Sequence, residues 1–364
     1  MVHVSSAHPW IDNRIHYREC ESLAAAGFDV TLVAVASDVD SYRGSTRVMQ
    51  IPRRSRARRL LLGAPQAVLR AVRTRSDVVH LHDPELIWAI PLFRALGRKV
   101  VYDAHEDLPQ QVRTKAYLTG WRRTGAIVLA RLLVRTARYA DRVVAATESV
   151  AERFPPEKVT VIHNYPPLLA AEQELTPIAQ RARVALYVGS LGWNRGLRTM
   201  ASLPSAPSFP EGWEVRVVGP IGSAMRDEAI AAGGVQPATI VGPLAPAVAR
   251  GEMARARIGL VLLRATPAYV ESLPTKMFEY FAAGMPVIAS DFPAWRAIVR
   301  DGDCGLLVDP EDPDAVARAL RRYEEEPELL ERHSTNARRL AETRYNWGSE
   351  ASALVDLYES LVRR

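Results

Sequence analysis

The chain has 364 residues, and this length alone predicts about two domains. Hydrophobic residues make up 48% and charged residues 24%, the balance of a globular protein, so a disordered chain, a collagen-like chain and a small disulfide-rich scaffold are excluded. The net charge of +6 is uneven: residues 1–165 hold 25 Lys and Arg against 16 Asp and Glu, or +9, whereas residues 166–364 hold 22 against 25, or −3.

Neither a membrane span nor a cysteine-based site is indicated by the sequence. No apolar run approaches the roughly 20 residues that a spanning helix needs, and the first residues lack a basic and then apolar signal region. Cys20 and Cys304 stand far apart with no CxxC pattern, so neither a metal centre nor a disulfide framework is expected. The chain is predicted to be cytoplasmic.

Short apolar runs alternate with amphipathic stretches along the first half of the chain. The stretches 18–26 and 60–73 have the apolar spacing of helices. Alternating strands and helices predict a parallel sheet that is covered on both faces. The predicted strands of this half are residues 30–35, 78–81, 99–102 and 142–146.

A break follows the sequence HNYPP at residues 163–167, and residues 168–183 show no clear strand. A second alternating series then predicts another doubly wound domain of similar size. The last segment, 349–363, is predicted to be a solitary helix that crosses back to the first domain. The predicted strands of the second series are residues 184–188, 214–218, 258–263, 286–289 and 305–308.

A loop with three glycines, residues 189–196, follows the first strand of the second series. Parallel sheets bind ligands beyond the carboxyl ends of their strands, and glycines before a helix let backbone N–H groups approach an anion. Arg195 in this loop could hold a phosphate with two parallel hydrogen bonds. Glycines at such a turn are also common without a ligand, so both interpretations stay open at this point.

The segment 271–284 carries one lysine and two glutamates around a helix predicted over 274–283. Lys276 falls in the first turn, where its charge opposes the helix dipole, and a bound anion would explain that position best. Glu279 lies one turn further along the same face, and Glu271 lies in the preceding loop. A surface Glu–Lys pair has the same spacing, so residue types alone leave both interpretations open.

Histidines and carboxylates follow two strands of the first domain. Residues 80–85 read HLHDPE, and residues 103–107 read DAHED. A strand-end histidine is compatible with a metal site, a substrate contact or a hydrogen-bonded structural role. A further polar loop, residues 8–14, leads into the first predicted helix.

Taken together, these segments resemble the retaining glycosyltransferases of family 4, which have the GT-B fold, and the resemblance covers essentially the whole chain. Glu271 and Glu279 match the Glu-x7-Glu motif of that family. The terminal helix that follows Trp347 is similar as well. The other similar phrases are DNRI at 12–15, LAAAG at 23–27, VVYDAHE at 100–106, PTKMFEY at 274–280, GMPVIAS at 284–290 and GLLVD at 305–309.

The resemblance implies an α/β protein of the GT-B fold, with two Rossmann-like doubly wound domains facing each other across a cleft. The acceptor-side domain would comprise residues 1–166 with a C-terminal crossover helix, 346–364. The nucleotide-sugar donor domain would comprise residues 180–345. The implied activity is hexosyl transfer from a nucleoside-diphosphate sugar to an acceptor hydroxyl, with anomeric configuration retained and with no metal or other cofactor. The acceptor could be a sugar, a lipid-linked glycan or a small molecule.

Site residues follow from the resemblance position by position. Glu271 and His105 would lie by the transferred sugar and are the predicted catalytic residues. Glu279 would bind the donor ribose and Arg195 the diphosphate. The remaining predicted donor contacts are Ser190, Leu273, Pro274 and Lys276, and the predicted acceptor-side residues are Asp12, Arg14 and His82. No metal ligand is predicted.

Two departures from the family pattern concern the donor and the first loop. Family members often have arginine where this chain has Ser190, and many have a glycine-rich first loop where this chain has residues 8–14. Lys276 would then compensate for the missing arginine. Two alternatives remain beside the transferase: a nucleotide-sugar 2-epimerase of the same fold, and a sugar-nucleotide-binding protein that has lost catalysis.

The basic first half also suggests an anionic partner. Zinc-finger spacing and alternating basic and aromatic residues are absent, so nucleic acid is not expected. Residues 121–142, read as a helix, allow either peripheral contact with an anionic inner membrane face or packing against the sheet. The helix would place Ile127, Ala130, Leu133, Val134 and Ala137 near one face, and Arg131, Arg135, Arg138 and Arg142 on an adjoining one.

Overall fold

The computed structural model describes residues 1–37, 44–105, 108–109, 112, 119–168, 175–234 and 238–362. The chain divides into two compact units, each built on its own parallel sheet. Unit 1 comprises Met1–Asn164 and Trp347–Arg364, and unit 2 comprises Tyr165–Asn346. None of the helices in these ranges has the length and apolar character needed to cross a membrane.

Unit 1 contains a seven-stranded sheet in the order β3-β2-β1-β4-β5-β6-β7, with every adjacent pair parallel. The strands are β1 (Val2–Pro9), β2 (Thr31–Val35), β3 (Arg47–Ile51), β4 (Val78–Leu81), β5 (Lys99–Ala104), β6 (Arg142–Ala145) and β7 (Val159–Val161). The described helices are α1 (Glu21–Ala25), α2 (Arg56–Arg58), α3 (Ala64–Arg73), α4 (Ile90–Ala95), α5 (Gly120–Ala137), α6 (Glu148–Ala151) and the C-terminal helix Trp347–Val362. Tighter or wider turns extend three of them, at Ile15–Cys20, Arg59–Gly63 and Pro84–Ala89.

Helices cover both faces of the unit 1 sheet, because successive strand residues point to opposite faces. Val79 belongs to the core beneath α3, α4 and α5, whereas the adjacent Val78 belongs to the core beneath α1 and the C-terminal helix. On α5, Leu133 and Val134 pack against the first of these cores, and Ala130 and Ala137 are buried. The face of residues 121–142 with these four side chains therefore packs against the sheet.

Unit 2 contains a six-stranded parallel sheet in the order β10-β9-β8-β11-β12-β13. Its strands are β8 (Ala182–Val188), β9 (Glu214–Val218), β10 (Thr239–Val241), β11 (Ala256–Val261), β12 (Val287–Ser290) and β13 (Gly305–Val308). Its described helices are α7 (Leu197–Ser202), α8 (Ser223–Ala232), α9 (Pro246–Arg255), α10 (Pro267–Val270), α11 (Thr275–Ala282), α12 (Pro293–Val299), α13 (Pro313–Glu325) and α14 (Pro327–Thr343). Short 3-10 turns lie at Ile178–Gln180, Trp193–Arg195 and Leu203–Ser205.

Candidate functional site

The glycine loop at the end of β8 is fixed against its neighbouring strands. The Tyr187 hydroxyl donates a hydrogen bond to the Ser190 carbonyl at 2.9 Å. Gly196 has a φ of +79°, and a Cβ at this position would lie 2.1 Å from the Leu262 carbonyl oxygen. Only glycine fits there, because any side chain would collide with backbone. The loop therefore lies directly on the end of the sheet, where the sequence predicted an anion site.

Helix α11 places Lys276 in its first turn, directly beside this loop. The Lys276 Nζ lies 5.0 Å from the centre of the Tyr187 ring. A Cβ built on Gly189 would lie 3.4 Å from the same Nζ. The lysine side chain thus extends over the strand-end loop, and the helix and the glycine loop together form one side of the candidate site.

Two anchors hold α11 and the segment before it in position. The backbone N–H of Val188 donates to the Tyr280 hydroxyl oxygen at 2.9 Å, which joins the helix to the end of β8. The Trp295 indole N–H donates to the Ser272 carbonyl at 2.7 Å and fixes the loop between α10 and α11. The Tyr280 ring also fills the space above Gly259, where a Cβ would lie only 2.2 Å from it.

Arg195 and Lys276 bring two like charges together in a partly buried place. Burial, reinforced by the charge of Arg195, lowers the pKa of Lys276 to about 8, while Glu279 opposes that shift. Burial also disfavours the charged form of Arg195, but the nearby hydroxyls of Tyr187 and Tyr269 raise its pKa above the ordinary value. When burial reduces the solvent around two adjacent cations, an anion between or beside them stabilises both charges. Lys276 therefore lies near both Arg195 and Glu279, and its predicted role as an anion ligand stays a prediction.

The other predicted donor residues lie on the same segments of unit 2. Glu279 is half-buried one turn along α11 from Lys276, and Glu271 is exposed directly after α10. Ser190 is exposed in the glycine loop. Pro274 is buried as the residue that precedes α11, and Leu273 beside it packs partly into the core. The roles predicted for these residues toward a donor remain predictions.

In unit 1, the carboxylate of Asp103 at the end of β5 is the centre of a buried network. The Arg14 guanidinium donates to both Asp103 oxygens, at 3.0 and 3.3 Å, and to the Ile162 carbonyl at 2.9 Å. Burial alone would raise the pKa of Asp103, but Arg14 and the nearby histidines hold it well below its ordinary value. Asp12 positions this arginine, because its carboxylate accepts from the backbone N–H of Arg14 and of Ile15, both at 2.9 Å.

A chain of buried side chains leads from Asp103 to the C-terminal helix. The ring nitrogens of His82 lie 3.0 Å from Asp103 and 2.9 Å from His3. The Tyr358 hydroxyl lies 3.2 Å from His3 and 2.8 Å from His80. With neutral imidazoles, one set of donors satisfies every link: His80 donates to Tyr358, Tyr358 to His3, His3 to His82, and His82 to Asp103.

Sequence reasoning missed His3, Glu19 and Tyr358 as members of this network. His3 stands between two valines at the start of β1, and Tyr358 is contributed by a helix about 250 residues after Asp103 in the chain. Glu19 lies 3.0 Å from the Arg14 Nε. Burial, with the charge of Asp103, raises the pKa of Glu19 well above its ordinary value, while Arg14 opposes that shift. The Arg14 guanidinium and the Asp103 carboxylate form the ion pair at the centre of the network.

Arg14 and His82, two predicted acceptor-side residues, are buried within this network, with side-chain exposures of 6% and 0%. Any influence on an acceptor would therefore act through Asp103 and its neighbours rather than by contact. The His105 side chain is 24% exposed to solvent, and its Nε2 lies 3.4 Å from the Asp103 Oδ2. Burial lowers the pKa of His105 to about 4, so its imidazole is neutral at pH 7. The half-buried His8, which begins the polar loop noted in the sequence, lies 5.8 Å away between ring centres and 3.0 Å from the Asp83 carboxylate.

Two groups among the described residues have donor atoms close enough to hold a metal ion. The first group is His3, Glu19, His80 and His82, and the second is His82, Asp103 and His105. Imidazole and carboxylate donors suit zinc and similar ions. The hydrogen bonds already made by His3, His82 and Asp103 would have to be exchanged for metal bonds. The sequence-based expectation of no metal remains untested.

Two family models match the chain, and they match different units. A model described as Glycosyltransferase Family 4 matches residues 13–165, and a model described as Glycosyl transferases group 1 matches residues 255–340. The second match contains Lys276 and both motif glutamates. The first match contains Arg14, His82, Asp103 and His105.

Curated relatives match parts of the chain. The D-inositol 3-phosphate glycosyltransferase of Streptomyces avermitilis is 32% identical over 253 residues, covering 64% of this chain and 52% of that protein. The phosphatidyl-myo-inositol mannosyltransferase of Mycobacterium leprae is 39% identical over 92 residues, covering 25% of this chain and 24% of that protein. The chain spans about a fifth to about half of the length of the curated relatives it matches.

Solved structures with low sequence identity share the fold over nearly the whole chain. Anabaena HepE in complex with UDP and glucose gives a TM-score of 0.73 at 14% identity, covering 99% of both chains. The sucrose-phosphate synthase of Thermosynechococcus elongatus gives a TM-score of 0.72 at 19% identity, covering 94% of this chain and 92% of that one. At this identity, the similarity concerns the fold alone.

Proposed function

Since the chain belongs to the family 4 glycosyltransferases of the GT-B fold, we propose that it transfers a sugar from a nucleoside-diphosphate sugar to an acceptor hydroxyl. The observation that carries this proposal is the pair of cations, Arg195 and Lys276, beside the glycine loop of unit 2. A diphosphate supplies the negative charge that this pair lacks, and the N-terminus of α11 adds backbone donors. A similar fold in Anabaena was crystallised with UDP-glucose, which supports a nucleotide-sugar donor.

In the proposed reaction, Arg195 and Lys276 stabilise the diphosphate leaving group as the bond to the sugar breaks. Glu279 accepts hydrogen bonds from the donor ribose, and Glu271 lies by the transferred sugar. The anomeric configuration is retained along a front-face path, in which the departing phosphate helps to deprotonate the acceptor. No residue is assigned as a nucleophile. The catalytic role predicted for His105 belongs to the same proposal.

The proposed transfer needs no metal ion, because two cationic side chains neutralise charge at the leaving group as a divalent ion does elsewhere. The test is activity after dialysis against excess chelator, with the metal content of the protein measured before and after. Unchanged turnover of metal-free protein is expected. Loss of turnover that is restored by one added metal would contradict metal independence and direct attention to the two His-containing groups of unit 1.

The transferase is favoured over the nucleotide-sugar 2-epimerase, because both matching family models describe glycosyltransferases. Incubation with the donor alone separates the two: an epimerase interconverts the sugar without an acceptor, whereas a transferase at most hydrolyses the donor slowly. A binding protein without catalysis would bind a donor but show no turnover on a broad acceptor panel. The preserved lysine and glutamates argue against that alternative.

The decisive experiment begins with a thermal-shift screen over nucleoside diphosphates and their sugars, because a ligand that binds the folded state raises stability by RT ln(1 + [L]/Kd). The donor found in this way is then offered to soluble sugars, inositol phosphates and lipid-linked glycans. We expect a glycoside whose anomeric configuration matches that of the donor. An inverted product would place the protein outside the retaining class.

A further inference from the structure

Unit 1 has an unusual concentration of exposed large apolar side chains on one layer of helices. Of the 17 such side chains among the described residues, 12 lie on or beside α2–α5, the layer that covers one face of the sheet. Trp121 is 80% exposed and Leu61 is 75% exposed. The 12 residues are Leu60, Leu61, Leu62, Leu69, Trp88, Leu92, Leu96, Trp121, Val128, Leu129, Leu132 and Tyr139, and we call this surface the outer helical face.

Helix α5 shows that packing against the sheet does not explain this surface. Its side toward the sheet is formed by Ala130, Leu133, Val134 and Ala137. The helix also carries a second, exposed apolar stripe, which consists of Trp121, Val128, Leu129 and Leu132. The last three residues follow Trp121 by seven, eight and eleven positions. These intervals place the stripe on one side of the helix, roughly opposite the core side. The sequence-based membrane interpretation named the apolar side that packs against the sheet. The structure corrects this point, because the side that is exposed and can contact lipid is the opposite one.

Arginines surround these apolar side chains, and acidic residues are absent from the two main segments. Residues 53–75 contain eight arginines, residues 119–140 contain five, and neither segment contains Asp or Glu. Arg53, Arg56 and Arg58 are exposed immediately before the leucines of residues 60–62, and Arg131 and Arg135 flank Leu132. Arg59 is an exception within the surface, since it pairs with Glu85 at 2.7 Å.

We infer that the outer helical face lies on an anionic lipid surface. Apolar side chains ringed by arginines match the boundary between acyl chains and negatively charged headgroups. A second copy of this chain fits less well, because a symmetric contact would set arginine segments of one copy against those of the other. The inference is independent of the proposed donor site, because it concerns unit 1 alone and requires no turnover.

The test uses the full chain and sedimentation with vesicles of phosphatidylcholine, with or without phosphatidylglycerol, and with no donor or acceptor present. The protein should pellet with the anionic vesicles at ~0.05 M salt and be released at ~0.5 M, because the screening length falls several-fold. Replacing Arg53, Arg56 and Arg58 with Gln should weaken binding about 100-fold, since three arginines near the surface are lost. Leu61→Ser with Leu62→Ser should weaken it about tenfold or more.

A matched control lies on α9 of unit 2, where Val248 and Arg250 are also exposed. Val248→Ser with Arg250→Gln should leave vesicle binding unchanged. Trp121 provides a second readout, because its fluorescence should shift to shorter wavelength and be quenched by brominated lipid on binding. Trp88 is exposed on the same face, so Trp121→Phe should reduce the signal, and the combination with Trp88→Phe should remove most of it.

Three results would overturn the inference. The first is failure of the wild-type protein to pellet with anionic vesicles at low salt. The second is equal binding to neutral vesicles, or equal loss of binding in the α9 control. The third is a dimer in sedimentation velocity that the Arg53, Arg56 and Arg58 variant abolishes, with no vesicle binding, which would identify a second copy as the occupant.

Discussion

Both units carry charged side chains at the ends of their parallel strands, but the charges pair differently. In unit 1 the neighbouring charges have opposite signs, and in unit 2 they have the same sign. In unit 1, the Arg14 guanidinium is buried against the Asp103 carboxylate, and burial raises the pKa of the neighbouring Glu19. In unit 2, Arg195 and Lys276 are neighbours of the same sign, and burial with Arg195 lowers the pKa of Lys276 to about 8. Loss of one partner from a buried ion pair destabilises the fold, whereas adjacent like charges repel each other and a bound anion relieves that repulsion. The difference agrees with a structural role for the first cluster and with the anion site proposed for the second.

The largest expected effect comes from breaking the balanced pair of unit 1. Arg14→Met leaves the Asp103 carboxylate buried without its cation and also removes the hydrogen bond to Ile162. Breaking a buried pair in this way costs about 3–5 kcal/mol, so the thermal midpoint of unfolding should fall by about 6 °C or more. The exposed Arg73→Met is the control and should change the midpoint little. An unchanged midpoint in Arg14→Met would contradict the structural role given to the Arg14–Asp103 pair of unit 1.

The second prediction concerns Lys276, where binding and stability should separate. Lys276→Met removes a charge that is unfavourable in the free protein, so the thermal midpoint should stay constant or rise. Affinity for the nucleoside diphosphate identified by the screen should fall about 100-fold or more, because a charge-assisted contact to phosphate is lost. Lys99→Met, at an exposed lysine of unit 1, is the matched control. Full affinity and turnover in Lys276→Met would return this residue to an ordinary surface position.

Most strands and the helix that carries Lys276 were predictable from the sequence because local pattern determines them. Strands β4, β9 and β13 have the predicted bounds, since their apolar runs are short and end at turn residues. The edge strands β3, β7 and β10 were not predicted. Each of these three strands is only partly buried, and its apolar run is short or interrupted by polar residues, whereas the edge strand β13 keeps a recognisable apolar run. The interior strand β1 was not among the strands predicted from apolar pattern either, because serines and histidines interrupt that pattern. Helix α11 and Lys276 in its first turn were predicted, because a proline before a helix and a glycine after it mark both ends.

The buried network of unit 1 could not be predicted, because it depends on contacts between distant segments. His3, His82, Asp103 and Tyr358 belong to three different strands or their ends and to the C-terminal helix. Nothing local to Tyr358 distinguishes it from any core tyrosine. The outer helical face also escaped prediction, since periodicity on α5 cannot tell which of two apolar stripes faces the core. Tertiary packing alone decides these points.

The third prediction tests Glu279 as a ribose ligand. Glu279→Gln keeps the shape of the side chain but weakens its charge-assisted hydrogen bonds, each worth about 1.5–3 kcal/mol. Donor affinity should fall about tenfold or more, with the thermal midpoint of the free protein unchanged. Glu228→Gln on the exposed surface of α8 is the control. The comparison of donor with inorganic pyrophosphate sharpens the result: pyrophosphate binding should be unaffected, since it has no ribose.

The fourth prediction is a pH dependence that belongs to unit 2 alone. Lys276 is charged below pH 8 and loses its proton above it, because its pKa is lowered to about 8. An anion binds the charged form, so the affinity for a nucleoside diphosphate should fall by up to about tenfold between pH 7 and pH 9. Calorimetry should also show proton uptake on binding near pH 8. Lys276→Arg should flatten the profile, since arginine stays charged throughout this range.

The smallest effect is expected for Ser190→Arg. This substitution tests whether the cations of unit 2 form an anion site or are only neighbouring charges that repel each other. Ser190 is exposed in the glycine loop, and its carbonyl, not its side chain, accepts the bond from Tyr187. An added guanidinium would therefore fit without breaking that contact. In the free protein, repulsion from the two native cations should lower the thermal midpoint slightly. The affinity for diphosphate should rise a few-fold, because the new guanidinium adds one contact that solvent partly screens. Thr335→Arg, on an exposed position of α14, controls for added charge alone. Weaker diphosphate binding in Ser190→Arg would mean that the two native cations already saturate the site or that the anion binds elsewhere. Stronger binding, seen together with the loss in Lys276→Met, would place the anion between the glycine loop and the first turn of α11.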